Sequence, residues 1–358
     1  MRLALILPGG VDRSGETRVI PALVSLIERL AARHELRVYA LYAERASYPL
    51  RGAVVEGLGR RFAPALPRLL RSLEEHGPFD VLHAFWAETP GVLAAAAGRV
   101  LGLPWIVSFG GGELAALADI GYGSGLRART RLRTRLALLG ASRVTAASLF
   151  LCQLARARGW DVTQVPLGVD ESWLAAREEP RPPWRLLHVG SLNRVKDQST
   201  LLRAFAVVLA AEPSARLDVV GGDTLGGVVE REAAALGLQD TVTFHGELSS
   251  PEVRALCDRA HLFLLASRHE AGPVAFLEAA SRGVPTVGTA VGHVADLAPE
   301  AALAVPVGGA AALGGAALAL LRDGARRREM GLRAREFARE HDADFTAGAF
   351  ERIYRQVI

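Results

Sequence analysis

A chain of 358 residues, half of them hydrophobic and 22% charged, is long enough for two cored domains and too apolar for a disordered one. Its two cysteines, Cys152 and Cys257, argue against a disulfide framework and fit a reducing cytoplasm. Residues 1–170 carry 21 basic against 14 acidic side chains and residues 171–358 carry 21 against 24, so the first half suits an anionic partner. Few aromatics and no recognition motif argue against nucleic acid.

In chain order, "LALILP" (3–8) reads as a buried first strand. It lacks the small-residue cleavage site of a signal peptide. Further strands are expected at 36–41, 80–85, 105–109, 143–147 and 162–166, with helices near 16–33, 64–76, 89–101, 126–139 and 148–158. The Pro-rich, charged stretch "LGVDESWLAAREEPRPPWR" (167–185) marks a domain boundary, with the linker proper at 169–184. Alternation resumes with strands at 185–190, 216–222, 241–246, 261–267 and 285–289, and helices at 197–211, 227–236, 251–259 and 273–282. The tail, 309–356, reads as helices. No stretch reaches the roughly 18 apolar residues of a membrane span. Such alternation implies α/β architecture: two doubly wound, Rossmann-like parallel-sheet domains, 1–168 and 185–342, with ligands in a cleft at the carboxyl ends of their strands.

Four features fall at strand ends. Gly9 and Gly10 form a strand-to-helix turn through which backbone can approach a ligand, although no G-x-G-x-x-G dinucleotide fingerprint is present. In "LLHVGSLNRVKDQSTLLRAF" (186–205), Lys196 is the only lysine in a chain with 41 arginines. It stands at a helix N-terminus, where amides and the dipole already favour an anion, and with Arg194 it offers a diphosphate clamp; taken alone, the pattern favours a solvated charge pair flanking a cap. "VSFGGGELAALADIG" (107–121) offers Gly110, Gly111 and Glu113 as an acceptor or phosphate loop; an ordinary flexible loop is the equal reading. In "ASRHEAGPVAFLEAASRGVPTVGT" (266–289), Glu270 closes a turn. Glu278 follows eight residues later, just over two helical turns, so it faces the side of the helix start. Val274, Phe276, Leu277, Ala279 and Ala280 surround it, and a carboxylate in such company needs a partner such as a vicinal diol. No Cys or His spacing fits a zinc site; "RHE" (268–270) lacks the second His of a zincin helix. The five arginines of "GLRARTRLRTRLALLG" (125–140) alternate and are expected to leave no clean apolar helix face.

"VGSLNRVKDQSTLLRAF", "LDVVGGD", "VTFHGEL" and "SRHEAGPVAFLEAASRGVPTVGT", in that order and supported by "DVLHAFW" and "VPLGVD", resemble the retaining glycosyltransferases of the GT-B fold, family four (group 1). The resemblance implies a nucleoside-diphosphate-sugar donor bound by the second domain, a hydroxyl acceptor on the first, no cofactor and no metal. It also implies a final helix, 343–358, crossing back onto the first domain. By that resemblance Lys196 binds the diphosphate and Glu270 contacts the donor sugar, and these two are the catalytic candidates. Glu278 accepts from the ribose, and the stretch holding His245, Gly246 and Leu248 holds the base. Ser191, Arg194, Ala271, Gly272 and Val274 complete the donor site. Ser191 stands where the family usually has Arg, Gly110 where it often has His, and Pro273 where Gly is common. A cytoplasmic enzyme follows, peripheral to the inner face of the membrane through weak contact of the basic domain with anionic lipid. The rival reading is a non-catalytic nucleotide-sugar-binding relative serving as a partner subunit. A nicotinamide-dependent Rossmann enzyme is disfavoured by the missing fingerprint.

Overall fold

Buried apolar strands flanked by amphipathic helices assemble into two sheets, one in each of two compact units: Met1–Gly168 with Ala343–Ile358, and Val169–Asp342. The computed structural model describes residues 1–358 apart from 17, 44, 60, 176 and 179. Of these, 17 falls in the expected first helix, and 176 and 179 in the expected linker, so those parts of both lie outside the described residues.

The first unit runs β1 (Arg2–Leu7), α1 (Pro21–Ala31), β2 (Glu35–Ala40), β3 (Ser47–Leu50), β4 (Ala53–Gly57), α2 (Phe62–His76), β5 (Val81–Phe85), α3 (Thr89–Leu101), β6 (Trp105–Phe109), α4 (Ala128–Leu138), β7 (Arg143–Ala146), α5 (Leu149–Arg156) and β8 (Thr163–Gln164). Its eight strands lie in the order β3-β4-β2-β1-β5-β6-β7-β8, all parallel except β3. β3 and β4 were not among the expected strands. They form a hairpin whose turn residues, Arg51 and Gly52, both take positive φ (48° and 85°), the twist a tight hairpin needs. The C-terminal helix Ala343–Val357 belongs to this unit. Phe350, Ile353 and Tyr354 enter the core beside Leu23 and Ile27, and the Tyr354 hydroxyl meets Nδ1 of buried His83 at 2.8 Å. Burial pulls the His83 imidazole down to about 3, so it is neutral.

The second unit runs β9 (Arg185–Val189), α6 (Gln198–Ala211), β10 (Arg216–Val220), α7 (Val228–Ala235), β11 (Val242–Phe244), α8 (Ser250–Arg259), β12 (Leu262–Leu265), α9 (Val274–Ser281), β13 (Thr286–Thr289), α10 (His293–Leu297), β14 (Ala302–Val305), α11 (Ala310–Arg322) and α12 (Gly324–Glu340); the C-terminal helix is α13. α10 and β14 were not expected from the sequence. The six parallel strands take the order β11-β10-β9-β12-β13-β14, which reverses direction between β9 and β12. Described residues of the 169–184 stretch pack on this unit. Val169 and Trp173 enter its core, and the Arg177 guanidinium donates to carbonyls of Cys257, Asp258, Ala260 and Arg282. Both cysteines are buried and neither is in a disulfide. Among the described residues no helix is long and apolar enough to cross a membrane.

The expectation that α4 has no single clean apolar face holds. Leu132, Leu136 and Leu139 stay 56%, 42% and 56% exposed, and spacings of four and three place them on one stripe. Buried Ala137 and Leu138 lie on the opposite side with arginines between, so at 100° per residue the apolar side chains are spread around the axis.

Candidate active site

Ligands of doubly wound sheets bind where the strand order reverses, outside the carboxyl ends of the strands. In the second unit that point lies between β9 and β12, and the loops leaving both strands carry the titratable candidates.

After β9 the chain enters Gly190. A Cβ at Gly221 would stand 2.2 Å from the Gly190 carbonyl oxygen, so only glycine, at φ 139°, lets the β9 and β10 loops touch. They then continue as a ladder: the Leu192 amide donates to Gly222 O at 2.9 Å and the Thr224 amide to Leu192 O at 3.1 Å. Asp197, at φ 51°, caps α6, accepting from the Thr200 amide (3.2 Å) and hydroxyl (2.8 Å). This turn brings the Lys196 stem over Gly190, where a Cβ would lie in ordinary van der Waals contact, 3.5 Å from Lys196 Cε.

The ammonium reaches Glu270 Oε1 at 2.5 Å. The same oxygen accepts from Ser267 Oγ at 2.6 Å, and the Arg268 amide donates to Val195 O at 2.7 Å, which joins the two loops through backbone. Lys196 is partly buried and Glu270 nearly fully so, and the ammonium has two further N–H donors to offer. Beneath the pair lies His188. It donates from Nδ1 to Leu264 O at 2.9 Å, and burial lowers its imidazole to about 4. It is therefore neutral, and it adds no cation beside Lys196. Gln198 spans the turn from below, donating to Ser191 O at 3.1 Å.

α9 begins at Val274 with Pro273 as its N-cap and no side chain capping it. Glu270 thus precedes the helix, and Glu278 stands one turn in from its start, not two. The residue is 8% exposed, and its carboxylate has no hydrogen-bond or ion-pair partner among the described residues and is pushed up to about 7 by burial. From the far side the loop after β13 closes in. A Cβ at Gly292 would lie 2.9 Å from Glu270 Cβ and 3.1 Å from Pro273 Cδ. Sequence reasoning missed Gly292, Ser267 and His188 as supports of this site. Ser267 and His188 stood in motifs already quoted, but nothing local marks them as neighbours.

The other donor candidates divide into engaged and open groups. Arg194 and Ser191 are exposed, and Arg194 has no ion pair among the described residues. His245 Nε2 lies 2.7 Å from Asp218 Oδ1, so its ring is already committed. Gly246, at φ 66°, accepts the Gly221 amide at 2.8 Å, and Leu248 packs against the core. Ala271 is buried and Gly272 half-buried in the turn before α9.

In the first unit Gly9 and Gly10 line a pocket of about 490 Å³ with Arg13, Arg18 and Tyr42. The Gly110–Glu113 loop is not the open amide cradle its glycines imply. The Glu113 carboxylate itself accepts from the amides of Gly110 (2.9 Å), Gly111 (2.7 Å) and Ala87 (3.1 Å), so two of the expected phosphate donors are used internally. Trp86, at the unusual φ of 70°, lays its indole where a side chain at 110 would go: a Cβ on Gly110 would lie 2.3 Å from the ring. Among the described residues no group of three or more His, Cys, Asp or Glu side chains converges as metal ligands.

A reversed strand order topped by a lysine–glutamate pair, with a buried carboxylate that has no hydrogen-bond or ion-pair partner among the described residues, marks the candidate site of a doubly wound α/β unit. Comparison with known proteins gives the family. Residues 169–337 match the model of glycosyl transferases group 1, and residues 19–168 that of the glycosyl transferase 4-like domain. The chain belongs to the group 1 glycosyltransferases, family four: retaining enzymes of the GT-B fold that draw on nucleotide sugars. It is 30% identical to N-acetyl-alpha-D-glucosaminyl L-malate synthase of Bacillus anthracis, a match covering 48% of this chain and 45% of that one. It is 25% identical to phosphatidyl-myo-inositol mannosyltransferase of Mycobacterium leprae over 100% and 97% of the two chains. Its fold matches that of Anabaena HepE in complex with UDP-glucose, with a TM-score of 0.78 and 17% identity over 99% and 100% of the chains.

Proposed function

We propose that this chain is a metal-independent hexosyltransferase. It moves a sugar, with retention, from a UDP- or GDP-sugar in the second unit to a hydroxyl acceptor on the first, a glycan or lipid-linked precursor. The observation that carries this reading is the Lys196–Glu270 pair beside the unpartnered Glu278 carboxylate. Lys196 keeps one N–H on Glu270 and turns another to the diphosphate, helped by Arg194 and the α9 N-terminus as negative charge builds on the leaving group. Glu270, held by Ser267, accepts from sugar hydroxyls, and Glu278 from the ribose. The acceptor hydroxyl attacks the anomeric carbon from the face the diphosphate leaves, and a departing phosphate oxygen takes its proton. The names of HepE's ligand and of the M. leprae relative support a UDP-sugar and a lipid-linked acceptor respectively. The reaction sits on the cytoplasmic side, loosely peripheral to the membrane.

One observation favours a second reading, a non-catalytic sugar-nucleotide-binding subunit: Trp86 fills the space over Gly110, and Glu113 closes that loop. Incubating the purified chain with nucleotide sugars and following nucleoside-diphosphate release separates the two. Turnover supports the enzyme; binding with no release, even by slow hydrolysis, supports the subunit.

A further inference from the structure

The first sheet has a reversal point of its own. Its strand order turns back between β1 and β5, so the loop leaving β1 stands where a doubly wound sheet holds its ligand. That loop runs from 8 to 20, well beyond the roughly two to six residues usual for such a connection. It is braced at three places. Val11 and Val19 pair as an antiparallel bridge, the Ile20 amide donates to Gly10 O at 2.9 Å, and the Tyr48 hydroxyl donates to Val11 O at 2.6 Å. Gly10 takes φ 75°, and a Cβ there would lie 2.7 Å from Ile20 Cγ1, so the brace closes only on glycine.

This loop and the one after β2 line the pocket of about 490 Å³, and three kinds of group meet there. Arg18 Nη2 donates to Asp12 Oδ2 at 2.8 Å, while Asp12 Oδ1 accepts from the Ser14 amide at 3.1 Å. Donation from Ser14, with Arg18 beside it, holds the Asp12 carboxyl below the usual carboxylate range, so the pair stays ionised. Arg13 makes no hydrogen bond or ion pair among the described residues. Its guanidinium lies 5.3 Å from the centre of the Tyr48 ring, a contact that places the charge without neutralising it. Tyr42 is 56% exposed, and its hydroxyl has no partner among the described residues. The pocket thus carries one neutralised ion pair, one uncompensated cation and one open aromatic side chain.

We propose that this pocket is the acceptor subsite and that it takes a sugar ring bearing one acid group, carboxylate or phosphate. Each part of the lining answers one part of such a molecule. Tyr42 offers an aromatic surface for the C–H face of the ring. The Asp12–Arg18 pair sets an acceptor beside donors, the pattern that adjacent hydroxyls match, and adds no net charge. Arg13 has one positive charge left, and it answers one acid. A nucleoside diphosphate brings more negative charge than Arg13 balances and meets repulsion from Asp12. A bare phosphate gives Tyr42 nothing to cover, and a neutral sugar leaves Arg13 unanswered. The inference rests on the transferase reading above and narrows its acceptor; it uses none of the donor-site residues.

The test is titration calorimetry of the full chain against D-glucuronate, D-glucose 6-phosphate, D-glucose and inorganic phosphate. The two acidic sugars should bind roughly 10- to 100-fold more tightly than glucose or phosphate, the scale of one hydrogen bond to a charged group. Comparing the two acidic sugars tells which acid Arg13 prefers. Arg13→Ala should bring both down to the level of glucose, and Tyr42→Ala should weaken all three sugars several-fold while leaving phosphate unchanged. The thermal shift produced by UDP should persist in both variants, which shows that they fold. In the nucleoside-diphosphate release assay the acidic sugars should raise release and glucose should not. Acidic-sugar binding in a wild type that shows no UDP shift would uphold the pocket and sink the donor reading. Glucose or phosphate bound as tightly as the acidic sugars would overturn the proposal, as would no binding of either acidic sugar or an Arg13→Ala variant that keeps the preference. Release that the acidic sugars leave unchanged or inhibit would overturn the acceptor role.

Discussion

Lys196 Nζ and Glu270 Oε1 lie 2.5 Å apart, although 74 residues separate them, and they meet where the strand order of the second sheet reverses. Each side chain holds the other in place, and in the proposed function Lys196 serves the diphosphate and Glu270 the sugar hydroxyls.

Replacing Lys196 with Ala should weaken nucleoside-diphosphate binding by roughly 1.5–3 kcal/mol, the scale of a hydrogen bond to a charged group. Lys196→Arg should not restore it, because a planar guanidinium cannot follow the stem over Gly190 and still share its donors between Glu270 and phosphate. Titration calorimetry with UDP and GDP reads this directly, and wild-type affinity in the Ala variant would dismiss the clamp.

Glu278 titrates near 7, not at its usual 4.5, so between those values the folded chain keeps a proton that the unfolded chain has lost. Stability should therefore fall as pH rises from about 4.5 to about 7, by at most roughly 3 kcal/mol, and level off above. Glu278→Gln should flatten that slope and weaken the donor. Ribose hydroxyls prefer the ionised carboxylate, so saturating nucleotide sugar should also shrink the slope. Calorimetric Tm against pH, with and without donor, checks all three; an unchanged slope in the Gln variant would return Glu278 to an ordinary buried charge.

Gly292 takes φ 55° and ψ −139°, a region that a side chain hardly tolerates, and its missing Cβ makes room for Glu270. Gly292→Ala should cost roughly 1–3 kcal/mol of stability. It should also lower turnover by displacing Glu270, and Tm and kcat measured together show both. Normal turnover in a folded variant would mean that Glu270 does not need its present position.

At Gly110 the added methyl meets the Trp86 indole, not open solvent. Gly110→Ala should swing that ring away, changing tryptophan fluorescence and destabilising the fold by roughly 1–3 kcal/mol, the range for overpacking. Trp86→Ala on the same background should recover part of the loss. A silent Gly110→Ala variant would show that the ring sits elsewhere in solution.

Much of the fold was legible because burial leaves a periodic trace. "RLLHVG" and "HLFLLAS" carry near-continuous apolar runs, not an alternating pattern, as central parallel strands do, and the helices 89–101 and 198–211 fall within a residue of their expected bounds. The β3–β4 hairpin was missed because Pro49 and the exposed Val54 disguise it as a loop. β14 and the five-residue α10 were missed because neither is long enough to show a period.

The candidate site divides in the same way. The sequence by itself determined which groups were unusual: a solitary lysine, a carboxylate in an apolar helix, glycines after strands. It could not determine whom they touch. Glu113 looked like a ligand group and instead closes its own loop. Tertiary structure decided that Lys196 meets Glu270 and that Glu278 has no hydrogen-bond or ion-pair partner among the described residues. The physical reason is one of range. Propensity and periodicity act over a few residues and are written locally. A salt bridge across 74 residues, or a carboxylate whose pKa rises because apolar neighbours exclude water, exists only once the sheet has brought distant loops together.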